Sequence, residues 1–194
     1  MRYIALLRGI NVGGNTMIKM AELKASFETL GLGNVVSYVN SGNLAFDVPR
    51  ESALQKPAVQ KPARSKGTYE VETALISVIE KAIEKAFAKS IPVMIREQTD
   101  ILRIIEANPF AGQFESHKEM HVLFLNDNVT KEANAFLAEN VPPPERFAVH
   151  GREIYCHLPM GVADSYLGRG VFEKKLKIAV TARNWRTVEK LAVL

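Results

Sequence analysis

The stretch that decides the fold is Val35-Val36-Ser37-Tyr38-Val39-Asn40-Ser41-Gly42-Asn43-Leu44-Ala45-Phe46. Two runs rich in β-branched and aromatic residues flank Asn40-Ser41-Gly42-Asn43, four residues that accept turn geometry, so the stretch reads as a hairpin. Upstream, Met20, Leu23, Phe27 and Leu30 recur at three- and four-residue spacing and mark one face of a helix, with Gly31 as its stop. Before that helix, Tyr3 to Leu7 is a short continuous apolar run, a strand buried on at least one face. Downstream, Val71, Leu75, Val78, Ile79, Ala82, Ile83, Ala86 and Phe87 share a helical face. Ile91 to Ile95 then reads as a strand, with Pro92 placing its start at a sheet edge. The order is strand, helix, strand, strand, helix, strand, the split βαβ of ferredoxin-like domains.

The second half repeats the pattern without repeating the residues. His121 to Leu125 is an apolar strand, and Thr130 to Glu139 a short helix with Ala133, Phe136 and Leu137 inward. Arg146 to His150 and Glu153 to Leu158 flank the two-residue turn Gly151-Arg152. Val171 to Lys177 reads as a basic amphipathic helix, Ile178 to Thr181 as a closing strand, and a final helix runs through Trp185, Val188 and Leu191. Between the halves, a helix over Asp100 to Ala107 should end at Asn108-Pro109. The fold class expected is therefore α+β, two tandem ferredoxin-like (βαββαβ) units with antiparallel sheets plus a C-terminal helix. The expected boundaries are 1–97 and 98–194. Prolines 49, 57 and 62 among Lys, Gln, Ala and Ser make 48–68 a flexible insertion in the first unit.

Composition narrows the class. The 194 residues are 47% hydrophobic and 24% charged, which excludes a disordered or collagenous chain. One cysteine and no secretory segment point to a reducing, cytoplasmic setting, and no apolar run approaches the ~18 residues of a membrane span. The 25 Lys and Arg against 21 Asp and Glu are unevenly placed. Arg50, Lys56, Lys61, Arg64 and Lys66 face Glu51 alone, and seven bases between Arg169 and Lys190 face Glu173 and Glu189. Two basic segments on a mildly acidic body would suit an anionic partner such as RNA, or serve only as solvated faces.

The segments Ala5 to Gly14 (ALLRGINVGG), Ser37 to Phe46 (SYVNSGNLAF), Asn108 to Phe110 (NPF), His121 to Leu125 (HVLFL) and Thr181 to Thr187 (TARNWRT) occur in that order. With them the chain resembles the bacterial domain of unknown function 1697 family. The resemblance implies a tandem pair of α/β-plait domains. It implies no established activity, so no catalytic residue or cofactor comes with it. The long insertion departs from the shorter link expected there.

Arg8-Gly9-Ile10-Asn11-Val12-Gly13-Gly14-Asn15 follows a strand and precedes a helix. Glycines let a backbone approach a ligand, and free N–H groups near a helix start attract anions. The spacing fits neither the dinucleotide fingerprint nor the Walker A loop. A right-handed crossover sends the first two strands the same way, so this loop and the 40–43 turn should emerge at one end of the sheet. Arg8, Gly9, Asn11, Gly13, Gly14, Asn40, Ser41 and Asn43 then become candidate ligands for a small anion, or simple turn formers. Arg183 and Asn184 are further candidates, since an arginine fork can complete an anion site or an ion pair. Trp185 belongs to a packing stripe.

The four histidines all lie in the second half. His150 should oppose Glu153 and His157 should oppose Arg146, on one hairpin face with Tyr155. That face would be turned away from the helices, where ferredoxin-like RNA binders display aromatics. Cys156 falls on the apolar face as an inert thiol, and no metal-ligand set stands at recognisable spacing. Three functions follow: binding of a small anion at the Gly-rich loop, binding of RNA or single-stranded nucleic acid through the basic segments, and an interaction module without a ligand site. No activated nucleophile or acid–base pair selects a reaction, and the residues set no oligomeric state.

Overall fold

The computed structural model describes residues 1–12, 16–49, 64–172 and 179–194. They form a mixed α+β protein with two four-stranded antiparallel sheets and five helices. The chain divides into two compact units, Met1–Asp100 with Leu194, and Ile101–Val193.

In the first unit the elements are β1 (Arg2–Leu7), α1 (Met20–Glu28), β2 (Gly33–Tyr38), β3 (Asn43–Asp47), α2 (Arg64–Phe87) and β4 (Val93–Glu97). The sheet order is β2-β3-β1-β4. β1 is central because its apolar run can be buried on both faces: Tyr3, Ala5 and Leu7 join the core beneath the helices, and Ile4 and Leu6 on the other face are fully buried too. Leu23 and Phe27 of α1, and Leu75, Ile79 and Ile83 of α2, pack into the same core as Leu44, Phe46, Val93 and Ile95. Both helices therefore cover one face of the sheet. Full burial of each such side chain stabilises by about 1.5–3 kcal/mol. Gly31 ends the α1 region in the left-handed conformation (φ +75°) expected of a helix stop. The second helix is described from Arg64, and most of the insertion expected over 48–68, residues 50–63, lies outside those described.

The second unit contains most of α3 (Gln98–Glu106), then β5 (Met120–Phe124), α4 (Lys131–Asn140), β6 (Arg146–His150), β7 (Glu153–His157), β8 (Thr181–Asn184) and α5 (Trp185–Leu191). Its sheet order, β6-β7-β5-β8, repeats that of the first. Thr130 caps α4 by accepting from the Ala133 N–H at 3.2 Å. Leu123, Leu125, Leu137, Ile154, Cys156 and Leu158 build its core. The expected basic helix over 171–177 falls mostly on residues 173–178, outside those described. The closing strand expected over 178–181 is instead Thr181–Asn184, so the TARN half of the last motif is strand and α5 starts at Trp185. The reason is pairing: Thr181 to Asn184 find the four partners Phe124 to His121 on β5.

Candidate functional site

The first loop and the hairpin turn meet at one end of the first sheet. Leu6 pairs with Asn43, and the Leu7 N–H donates to the Gly42 carbonyl at 2.8 Å. Arg8, half-buried, continues the ladder by donating its backbone N–H to the Pro92 carbonyl at 3.0 Å. Gly9 then takes a left-handed conformation (φ +65°), and the chain turns Ile10 inward until it is fully buried.

Asn11 organises this corner. Its Nδ2 donates to the carbonyls of Ile18 (2.9 Å) and Asn40 (2.8 Å), and its Oδ1 accepts from the Ile18 N–H at 2.8 Å. Its own N–H donates to the Thr16 carbonyl at 2.8 Å. Asn is among the few residues besides glycine that tolerate the left-handed φ of +54° found here. One side chain thus closes the Gly-rich loop and ties it to the hairpin turn. Gly13, Gly14 and Asn15 of that loop lie outside the described residues.

The turn is equally self-contained. Asn43 is fully buried and its Nδ2 donates to the Tyr38 carbonyl and to Ser41 Oγ, both at 3.1 Å. Gly42 has φ +77°, and a Cβ there would stand 2.7 Å from Leu7 Cβ and 2.9 Å from the Ile10 side chain. Among the described residues, those the corner exposes include Gly9, Lys19, Asn40 and the apolar Val12 (65% exposed), Met17 (69%) and Val39 (52%). Val39 holds φ +49°, a conformation its branched side chain disfavours. Nothing in the sequence marks that strain, because it is imposed by the length of the turn.

Arg183 and Asn184 belong to the second unit, and each has a local role. Arg183 is buried and donates to Thr181 Oγ1 (2.7 Å) and the Ala182 carbonyl (2.8 Å). Burial pulls its guanidinium down to about 10, which still leaves it charged at neutral pH. Asn184 caps α5, its Oδ1 accepting from the Thr187 N–H at 3.0 Å. Trp185 packs as expected, edge-on to Phe114 at 5.9 Å.

The histidine face of the second sheet differs from the expectation in one respect. His150 opposes Glu153 and His157 opposes Arg146. The face is nevertheless covered, because α3 and the residues after it fold over it. Tyr155 is buried and its Oη donates to the Ile104 carbonyl at 2.8 Å, while the His157 ring lies 5.8 Å from Phe110. The Arg146 guanidinium sits 4.9 Å over that same Phe110 ring. The Asn108-Pro109-Phe110 segment, read in the sequence only as a helix stop, supplies this cover. Cys156 is wholly buried, which pushes its thiol well above the ordinary range and leaves it unreactive. Among the described residues no group of three or more His, Cys, Asp or Glu is placed to hold a metal ion. Among them, too, no helix is long and apolar enough to cross a membrane.

These features define, among the described residues, an α+β protein of two four-stranded antiparallel sheets and five helices. The chain belongs to the family described as "Protein of unknown function (DUF1697)", whose model matches residues 1–155. In structure it is similar to the conserved bacterial protein SP0830 from Streptococcus pneumoniae, with a TM-score of 0.70 and 22% sequence identity. That likeness covers 98% of this chain and 96% of the other, and at such identity it speaks for the fold alone. No curated protein matches the chain.

Proposed function

We propose that the protein is an interaction module of two tandem ferredoxin-like units, divided near residue 100, whose motifs serve the fold rather than a small ligand. The β2-β3-β1-β4 order and its repeat as β6-β7-β5-β8 support the ferredoxin-like assignment. The observation that carries the function is how the motif side chains are used. Asn11, Asn43, Arg183 and Asn184 all direct their polar atoms at the chain's own groups, and Ile10 fills the corner where a guest would sit. A small anion bound by Arg8, Gly9, Asn11, Asn40, Ser41 and Asn43 would have to displace those bonds. An apolar partner surface would meet Val12, Met17 and Val39 as they stand. Strain held at an exposed residue is a mark of function rather than of packing.

Two measurements test this reading. Val39→Asn removes the strain and a solvent-facing methyl pair, so it should raise unfolding stability by about 1 kcal/mol. Thermal shifts with inorganic phosphate, pyrophosphate and ATP should be the same for the wild type and Arg8→Ala. A saturable shift lost in Arg8→Ala would restore the anion site. A destabilised Val39→Asn would mean that Val39 serves the fold, and the proposed partner face would fall with it.

A further inference from the structure

The cover over the histidine face is held by an unusual hydrogen bond. Arg146 donates from Nη2 to His157 Nδ1 at 2.8 Å and from Nη1 to Gln113 Oε1 at 2.7 Å. A guanidinium only donates, so Nδ1 must accept, and the ring is neutral with its proton on Nε2. That Nε2 is buried and has no partner among the described residues, and neither does the buried Asn108 Nδ2 two residues before Phe110. The near end of the cover, 104–113, therefore rests on the Tyr155 and Arg146 bonds and the Phe110 ring. The far end is fixed separately: Phe114 packs on Trp185, and His117 Nε2 meets Glu189 Oε2 at 3.0 Å on α5.

We propose that residues 104–113 form an acid-released strap, latched through the His157–Arg146 hydrogen bond. A proton arriving at Nδ1 removes the acceptor for Arg146 and sets an imidazolium against a guanidinium. The remaining groups facing His157 are few. Glu119, beside β5, favours the charged ring; Asn108, Phe110 and Gln113 on the strap do not titrate; His150 lies against Tyr155 on the neighbouring strand. Burial and Arg146 outweigh Glu119 and hold the ring below its usual range, so the latch is closed at neutral pH and opens in acid. The far end, where His117 Nε2 meets Glu189 Oε2 and Phe114 packs on Trp185, makes no contact through the His157–Arg146 latch. Release uncovers Phe110 and Tyr155, now 8% and 1% exposed.

Amide exchange of the full chain, read between pH 7.5 and 4.5 and corrected for intrinsic rates, tests the latch. In the wild type, exchange over 104–113 should rise about tenfold per unit of pH once the open form begins to accumulate. Far-UV circular dichroism should stay constant through that change. His157→Gln keeps an acceptor for Arg146 but takes no proton, so its strap should stay protected across the same range. An equal acid response in His157→Gln, or no response in the wild type, would overturn the proposal. Should the variant fail to fold, proton resonances of the wild-type His157 ring decide: a ring midpoint that differs from the 104–113 exchange midpoint refutes the latch.

Discussion

Lowering the pH from 7 to 5 should destabilise the second unit by about 2 kcal/mol through His121 alone. The side chain is 8% exposed, stands on β5 opposite Cys156 and Asn184, and its Nδ1 has no partner among the described residues. Burial disfavours the charged ring and lowers it from 6.5 to about 4. The unfolded chain therefore takes up the proton first. Stability that is complete above pH 6.5 is lost as the pH falls toward 4. At pH 5 the unfolded histidine is almost wholly charged and the folded one almost wholly neutral, which corresponds to about 1.5 pH units at ~1.4 kcal/mol each. His121→Leu removes the titration while keeping the volume, and should stay within about 1.5 kcal/mol of the wild type at pH 7. Urea unfolding followed by far-UV circular dichroism, run on both proteins at pH 7 and 5, gives the difference of differences. Acid also acts on His157, whose charged form is disfavoured by burial and by Arg146, but that ring is present in both proteins and its contribution cancels. If the variant loses as much stability as the wild type between the two pH values, the burial argument for His121 is wrong.

The loop–hairpin corner yields two further expectations. Asn11→Ala removes the side-chain hydrogen bonds to Ile18 and Asn40 and leaves a Cβ-bearing residue at φ +54° without compensation, so urea unfolding should show a loss of roughly 2–4 kcal/mol. Gly9→Ala and Gly42→Ala form a matched pair, since both positions are left-handed. An added Cβ at Gly9 meets nothing within 4 Å, whereas at Gly42 it would strike Leu7 and Ile10. Differential scanning calorimetry should therefore find a cost of about 1–2 kcal/mol at position 9 and roughly 2–5 kcal/mol at position 42. Equal costs would show that backbone strain, and not the close approach of turn to loop, decides this corner.

Much of this architecture was legible before any coordinates, because period and turn chemistry are local properties. The hairpin around Asn40 to Asn43, the α1 stripe from Met20 to Leu30, and the Arg146–His157 register followed from alternation, three-to-four spacing and the length of a turn. The nearness of the Gly-rich loop to the 40–43 turn also followed, since connectivity fixes the direction of each strand. Other features depend on residues far apart in the chain. Thr181 to Asn184 became strand because β5 offered a free edge, against a local sequence that reads equally well as a helix start. Asn108 to Phe110 looked like punctuation and proved to be a cover, because its partners Arg146 and His157 stand on another hairpin. The neutrality of His121 and the strain at Val39 arise the same way, from burial and from closure of a turn. Period and spacing say which face of an element is apolar; only the folded chain says what lies against it, and whether a polar side chain meets a guest or its own backbone.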